Sequence, residues 1–270
     1  MSLINELKKS GFSFNKNLGQ NFLLDENYLQ SVVSSLCINK NYNIIEIGTG
    51  AGTLTRVLAR NFDNITTFEI DNRLKNVLTK QFDGFNNIKL VFEDALKSNY
   101  FKDLNDFSVV ANIPYYITTP LLMKFIKYQN CKSICVLVQD DVANRIVAKP
   151  GNKDYGALSV TLQLWGDCKI LKNVPRNLFV PAPNVDSAFV QISRHSNHEP
   201  FDNKLMERLL KGLFAARRKN ILNGLSQTLN INKETAREIL NKIDITDNTR
   251  PEQLEPKKFV EMIDIISKNS

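Results

Sequence analysis

The chain has 270 residues, 43% hydrophobic and 23% charged, which suits a globular protein with one large domain and something smaller beside it. Lys and Arg outnumber Asp and Glu, 35 to 28, a balance compatible with an anionic partner and also common in proteins that have none. No apolar run approaches the ~20 residues of a membrane span, and "MSLINELKKSGFSFNKN" lacks a signal peptide's apolar core, so a cytoplasmic protein without a membrane segment is expected.

In chain order, short β-rich runs alternate with amphipathic stretches. The expected strands are "NIIEI" (43–47), "ITTFEI" (65–70), "IKLVF" (88–92), "FSVVA" (107–111), "SICVLV" (133–138) and "SAFVQI" (187–192). Between them lie the expected helices "TLTRVLARN", "RLKNVLTKQF", "PLLMKFIKY", "DVANRIVAK" and "GALSVTLQLW". Such alternation predicts an α/β fold, a mostly parallel sheet with helices on both faces. "RHSNHEP" (194–200) is polar, ends in Pro and reads as a linker, and only helical patterns follow it. In "KLMERLLKGLF" Leu205, Leu209 and Leu213 recur at i, i+4 and i+8, and "AREILNKI" and "KKFVEMIDII" are similarly amphipathic. Two domains are therefore expected, 1–193 and a small all-helical 194–270.

The cysteines Cys37, Cys131, Cys135 and Cys168 lack CxxC spacing and fit thiols in a reducing compartment. The two histidines, His195 and His198, fall in the linker without partner ligands, so no metal site is expected. Charge is concentrated between Lys204 and Asn220, where Lys204, Arg208, Lys211, Arg217, Arg218 and Lys219 face one acid, Glu207. That run can complement phosphates, or serve as a solvated helix end.

Chemistry gathers at the strand ends. "IIEIGTGAGTLT" (44–55) runs a strand into Gly48, Gly50 and Gly52 and then into a helix. A dinucleotide loop prefers G-x-G-x-x-G, but Thr53 takes its last position. The G-x-G-x-G spacing preceded by Glu46 is the form associated with S-adenosyl-L-methionine (SAM). About 20 residues on, "FEID" ends a strand with Glu69 and Asp71, placed to accept from ribose hydroxyls. Asp94 follows the third strand, where it can accept from an adenine amine or simply make a turn.

"NIPYYITTP" (112–120) then leaves the fourth strand, with Thr119 and Pro120 expected as N-cap and first residue of a helix. An adenine amine is a poor nucleophile because its lone pair is delocalised into the ring. Two acceptors for its hydrogens turn that lone pair toward an electrophile: the Asn112 side-chain oxygen and the backbone carbonyl of Ile113 or Pro114. Pro114 fixes the chain direction, and Tyr115 can stack on the base. This tetrapeptide signals methyltransferases that act on the amino groups of bases.

Together these motifs resemble the ribosomal RNA adenine N6,N6-dimethyltransferases of the bacterial small-subunit (kasugamycin-sensitivity) type, nearly end to end. "NLGQNFLLD" (17–25) resembles the family's G-Q-N-F-L-x-D, which implies that Asn21 and Leu23 lie over the cofactor. "EIGTGAGTLT" resembles its cofactor loop, and Glu69, Asp94 and Asn112 stand where the family contacts ribose, cofactor adenine, and the methionine end or target amine. "NLFVPAPNVDSA" (177–188) resembles its F-x-P-x-P-x-V-D-S, implying that Phe179 stacks on the flipped adenine opposite Tyr115. "LFAARRKNILNGL" (213–225) resembles its basic RNA-facing segment, with Arg217, Arg218 and Lys219.

The resemblance implies a Rossmann-like SAM-dependent sheet with a helical RNA-binding domain. It also implies dimethylation of two adjacent adenines in the 3′-terminal hairpin of 16S rRNA, on the immature 30S particle, by a protein expected to be a monomer. Asp140 stands where relatives usually carry Lys, and Thr49 where Pro is usual. Rival readings are the macrolide-resistance type acting on 23S rRNA, favoured less by "VDSA" and "YGALSV", and an assembly factor with secondary catalysis. A separate DNA-reading domain is missing for a DNA methyltransferase, and Thr53 disfavours a nicotinamide oxidoreductase.

Overall fold

The six apolar runs become neighbours in one sheet, since a short, continuously apolar segment satisfies its backbone polar groups only by pairing inside a core. The structure, a computed structural model, describes residues 20–196, 203–215 and 219–268. Its strands are β1 (Phe22–Leu23), β2 (Asn43–Ile47), β3 (Ile65–Phe68), β4 (Ile88–Val91), β5 (Phe107–Asn112), β6 (Cys131–Gln139), β7 (Gly166–Val174), β8 (Phe179–Val180) and β9 (Ser187–Arg194). Its helices are α1 (Glu26–Val33), α2 (Thr53–Asn61), α3 (Lys75–Gln81), α4 (Thr118–Phe125), α5 (Asp140–Val147), α6 (Ala157–Trp165), α7 (Asn203–Ala215), α8 (Ile221–Leu229), α9 (Lys233–Asn241) and α10 (Pro256–Lys268).

The large sheet has the order β4-β3-β2-β5-β6-β9-β7. Strands β4, β3, β2, β5 and β6 pair in parallel, while β9 runs antiparallel to β6 with Ser187 opposite Gln139. A two-stranded ribbon joins β1 to β8, with Leu23 opposite Phe179. The strand expected over 65–70 ends at Phe68, which leaves Glu69 in the following loop. Helix α4 begins at Thr118 with Ile117 as its N-cap, so Thr119 and Pro120 fall within its first turn rather than at the cap and first position. Proline is tolerated there because first-turn N–H groups have no intrahelical acceptor.

Strand parity divides the core. Val110 of β5 packs with Leu29 and Val33 of α1 and Leu54 and Val57 of α2. Phe107, three residues earlier and so on the other face, meets Phe101, Phe125 and Tyr128 with ring centroids 6.1–6.3 Å apart.

The chain divides into two compact units. One holds the described residues through Ala143 with Cys168–Arg194; the other holds Asn144–Asp167 with those from His195 on. In the second, Tyr155 and Val160 share a core with Leu209, Leu213, Leu225, Leu240, Phe259 and Met262, and the buried Tyr155 hydroxyl donates to the Leu254 carbonyl at 2.8 Å. The sequence alone put 144–167 with the first domain because its helices interrupt a strand alternation. Their apolar faces are filled instead by helices much later in the chain.

Strand β2 carries a fully buried acid, Glu46. Its Oε2 accepts from the Thr55 hydroxyl at 2.6 Å, and its Oε1 has no partner among the described residues. Burial pushes the carboxyl from 4.5 up to about 8, opposed by Thr55 and Thr67 and helped by the Glu69 charge. Between those values the folded protein holds a proton that the unfolded chain releases, so stability falls as pH rises. The melting temperature of the wild-type protein is therefore expected to lose more than that of Glu46→Gln between about pH 5 and about pH 8, by thermal denaturation. Parallel curves for the two proteins would contradict a protonated Glu46.

Candidate active site

From β2 the chain builds β3 and β4 to one side, whereas β5 and β6 lie on the other. Loops leaving the carboxyl ends of β2 and β5 therefore part, and the crevice between them is where open α/β sheets bind ligands. A cleft of about 320 Å³ opens there.

The loop after β2 needs glycine for two reasons. Gly48 has φ +82°, and a Cβ there would stand 3.1 Å from the Asn112 carbonyl oxygen. Gly50 has φ +53°, and its amide donates to Glu69 Oε2 at 2.8 Å. Thr49, between them, joins its hydroxyl to that of Thr67 at 2.6 Å, so this departure from the family pattern ties the loop to β3.

Glu69 lines the cleft and is 6% exposed. Its Oε1 accepts from the Asp71 amide at 2.8 Å. Burial raises its pKa, while backbone donors at Asp71 and Gly50 pull it down. Asp71 turns elsewhere: Arg73 lies 2.6 Å from its Oδ2 and Gln20 donates to it at 3.0 Å. The Arg73 hydrogen bond holds the Asp71 carboxyl below its usual range. Of the two acids in "FEID", only Glu69 faces the cleft. Asp94 does both things its position allowed, lining the cleft while its Oδ1 accepts from the Leu96 amide at 2.9 Å in a turn.

Asn112 ends β5, and Asn112, Pro114 and Tyr115 all line the cleft, as do Asn21, Leu23, Gly48 and Gly50. The Pro114 carbonyl accepts from the Ile117 amide at 3.1 Å, closing a short turn over Tyr115–Ile117. The Tyr115 hydroxyl meets Ser187 Oγ at 2.7 Å.

Phe179 is placed differently from the expectation. It is 3% exposed, packs in the core with Leu23, Leu29 and Val174, and does not line the cleft. Pairing of β8 with β1 sets Phe179 opposite Leu23 in the apolar core, where an aromatic ring is most stable. Arg217 and Arg218 lie outside the described residues; Lys219 is exposed and donates to Gln227 Oε1 at 2.7 Å. Asp140 opens α5 beside Asp141 and takes the Asp186 carbonyl at 3.2 Å on its amide. Burial, with the charges of Asp186 and Asp141, raises its pKa.

The sequence reading missed Phe22, Ile70 and Tyr116 as lining residues. Ile70 and Tyr116 are 54% and 65% exposed, unusual for large apolar side chains, yet no periodicity marks a residue at the lip of a cleft.

An open sheet with its cleft at the switch point, and acids and an amide at successive strand ends, is the architecture of Rossmann-like methyltransferases. A profile of the ribosomal RNA adenine dimethylase family matches residues 11–268, and the chain belongs to that family. It is 37% identical over 270 residues to the ribosomal RNA small subunit methyltransferase A of Geobacillus thermodenitrificans, covering 95% of this chain and 92% of that one. Among solved structures it resembles a dimethyladenosine transferase from Plasmodium falciparum, with TM-score 0.79 and 24% identity over 90% of this chain and 96% of that one. It also resembles the 23S rRNA methyltransferase ErmE, with TM-score 0.71 and 23% identity over 92% and 100%. These two likenesses concern the fold.

Replacing Phe179 by Ala is expected to cost about 3–5 kcal/mol, the range for emptying an aromatic site in a core, with Phe179→Leu costing much less. Chemical denaturation measures both. An alanine variant as stable as the wild-type protein would place the ring outside the core.

Proposed function

We propose that this protein is a SAM-dependent methyltransferase that dimethylates N6 of two adjacent adenines in the 3′-terminal hairpin of 16S rRNA. The observation that carries the reading is the Asn112–Tyr115 turn opening onto the same cleft as the glycine loop, with Gly48 placed so that a Cβ there would stand 3.1 Å from the Asn112 carbonyl oxygen.

The donor set fits the cofactor. Glu69 is a buried carboxylate met by backbone amides and, among the described residues, by no cation. Such a group gains from further hydrogen-bond donors, and the two ribose hydroxyls supply them. Asp94 accepts from the adenine amine of the cofactor, Asn21 and Leu23 cover it, and the glycines at 48 and 50 admit its methionine end against the backbone. When bound, SAM supplies an electrophilic methyl group on a sulfonium that leaves as a neutral thioether.

The rest is positioning by this chain. Asn112 accepts one hydrogen of the target amine. The backbone carbonyl of Ile113 or Pro114 serves as the second acceptor, the Pro114 oxygen having a lone pair left beside its bond to the Ile117 amide. Together they hold the nitrogen lone pair out of the ring plane and aimed at the methyl carbon. Tyr115 stacks on the extruded base, which must leave its own stack to reach the cleft. Phe179 contributes from the core, holding the Leu23 strand in place through β8.

The run Arg217, Arg218 and Lys219 binds RNA phosphates, and the C-terminal helices form the RNA-binding domain. The substrate is the immature 30S particle, and the protein works in the cytoplasm as a monomer. Likeness to a curated small-subunit enzyme at 37% identity over nearly the whole chain favours this target over 23S rRNA.

Asn112→Ala is expected to lower methyl transfer to small-subunit adenines by at least about 100-fold, the scale of a lost positioning contact. SAM affinity, read by calorimetry, should stay within about threefold, since the interaction removed acts on the target amine rather than on the cofactor. Near-normal turnover would remove Asn112 from the chemistry.

A further inference from the structure

We infer that Ser187 is a positioning residue for methyl transfer, its hydroxyl fixing the Tyr115 ring at the cleft by hydrogen bonding to the tyrosine hydroxyl. The inference rests on the proposed function and assigns a role to a side chain outside the cleft lining.

Tyr115 sits in a three-residue turn that contains no buried residue. A ring in so short a turn swings readily unless something holds its far end. The tie that the structure gives it is the 2.7 Å contact between its hydroxyl and Ser187 Oγ. Ser187 is held far more firmly. It is fully buried, opens β9 and stands opposite Gln139 at the end of β6.

The residue before it adds two further ties. The Asp186 carbonyl accepts from the Asp140 amide at 3.2 Å, and its carboxylate Oδ1 accepts from the Arg176 amide at 2.8 Å. Tyr115 is thus anchored to a corner where β6, β9 and the 176–186 segment meet.

A serine here is informative. The residues that follow, Ala188, Phe189 and Val190, are apolar and fully buried, as a central strand requires. A hydroxyl in that company costs free energy unless it is paired, and its pairing is with the tyrosine. Burial raises the Tyr115 pKa and the Asp140 charge raises it further, against the Ser187 bond, so the phenol keeps its proton and can donate it to Ser187. The consequence is geometric: the ring plane against which a base stacks is set by a strand pair rather than by the short turn alone.

The test is a double-mutant cycle on the full-length protein. Single-turnover transfer of labelled methyl from SAM to immature small ribosomal subunits is measured for wild type, Ser187→Ala, Tyr115→Phe and the double variant. SAM affinity and melting temperature are measured alongside. Each single change is expected to slow transfer about three- to tenfold, the scale of one lost hydrogen bond. The double variant should be no slower than the slower single, with SAM affinity unchanged throughout.

Multiplying effects in the double variant, or wild-type rates in either single, would overturn the inference. Should Ser187→Ala fail to fold, Tyr115→Phe alone decides: slowed transfer at normal SAM affinity supports the coupling, and an unchanged rate overturns it. A wild-type protein that moves no methyl overturns the functional reading itself, and this inference with it.

Discussion

The close approach of Gly48 to the Asn112 carbonyl is the contact on which the site depends. Strands β2 and β5 are parallel neighbours, with Ile47 opposite Ala111, so the loops that continue them start side by side at one sheet edge. They must then diverge, and a Cβ at 48 would crowd the Asn112 carbonyl oxygen at 3.1 Å, on a backbone whose positive φ already favours glycine. The glycine lets the loop after β2 lie against the turn after β5, the proximity that the proposed methyl transfer between a donor and its acceptor needs. The Gly50 amide, bonded to Glu69, extends the same arrangement across to β3.

Two buried acids sit behind this edge, and their environments give them different work. Glu46 is sealed beneath the loop, and a proton on it removes a like charge beside Glu69. Glu69 is buried as well, but backbone amides from both flanking segments oppose the effect of burial, and it faces the cleft. The division follows from depth along neighbouring strands: Glu46 lies within β2, whereas Glu69 lies one residue past the end of β3.

The parts of this design that were legible in the sequence are those whose signal is local. The 43–47 strand and the 53–61 helix have the expected limits, because an apolar run, a glycine turn and an amphipathic stretch follow one another without ambiguity. The cleft residues at successive strand ends were legible for the same reason. Strands β1 and β8 have two residues each and no periodicity to detect. Strand β7, "GDCKILKNV", lies at the sheet edge with only its two end residues buried and is too polar to register as a strand. The burial of Phe179 was not legible because its neighbourhood is created by β8 pairing with β1, a contact between segments far apart in sequence. Ser187 and Glu46 acquire their significance only through partners brought in by folding, Tyr115 and Thr55.

The central claim is that one cleft at the β2–β5 switch point brings SAM to a small-subunit adenine. It is tested most directly by labelled-methyl transfer from SAM to immature small ribosomal subunits, with large-subunit rRNA and duplex DNA in parallel, followed by nucleoside analysis. Label is expected as N6,N6-dimethyladenine from the small subunit alone. Label in large-subunit rRNA or DNA, or none anywhere despite measurable SAM binding, would contradict it.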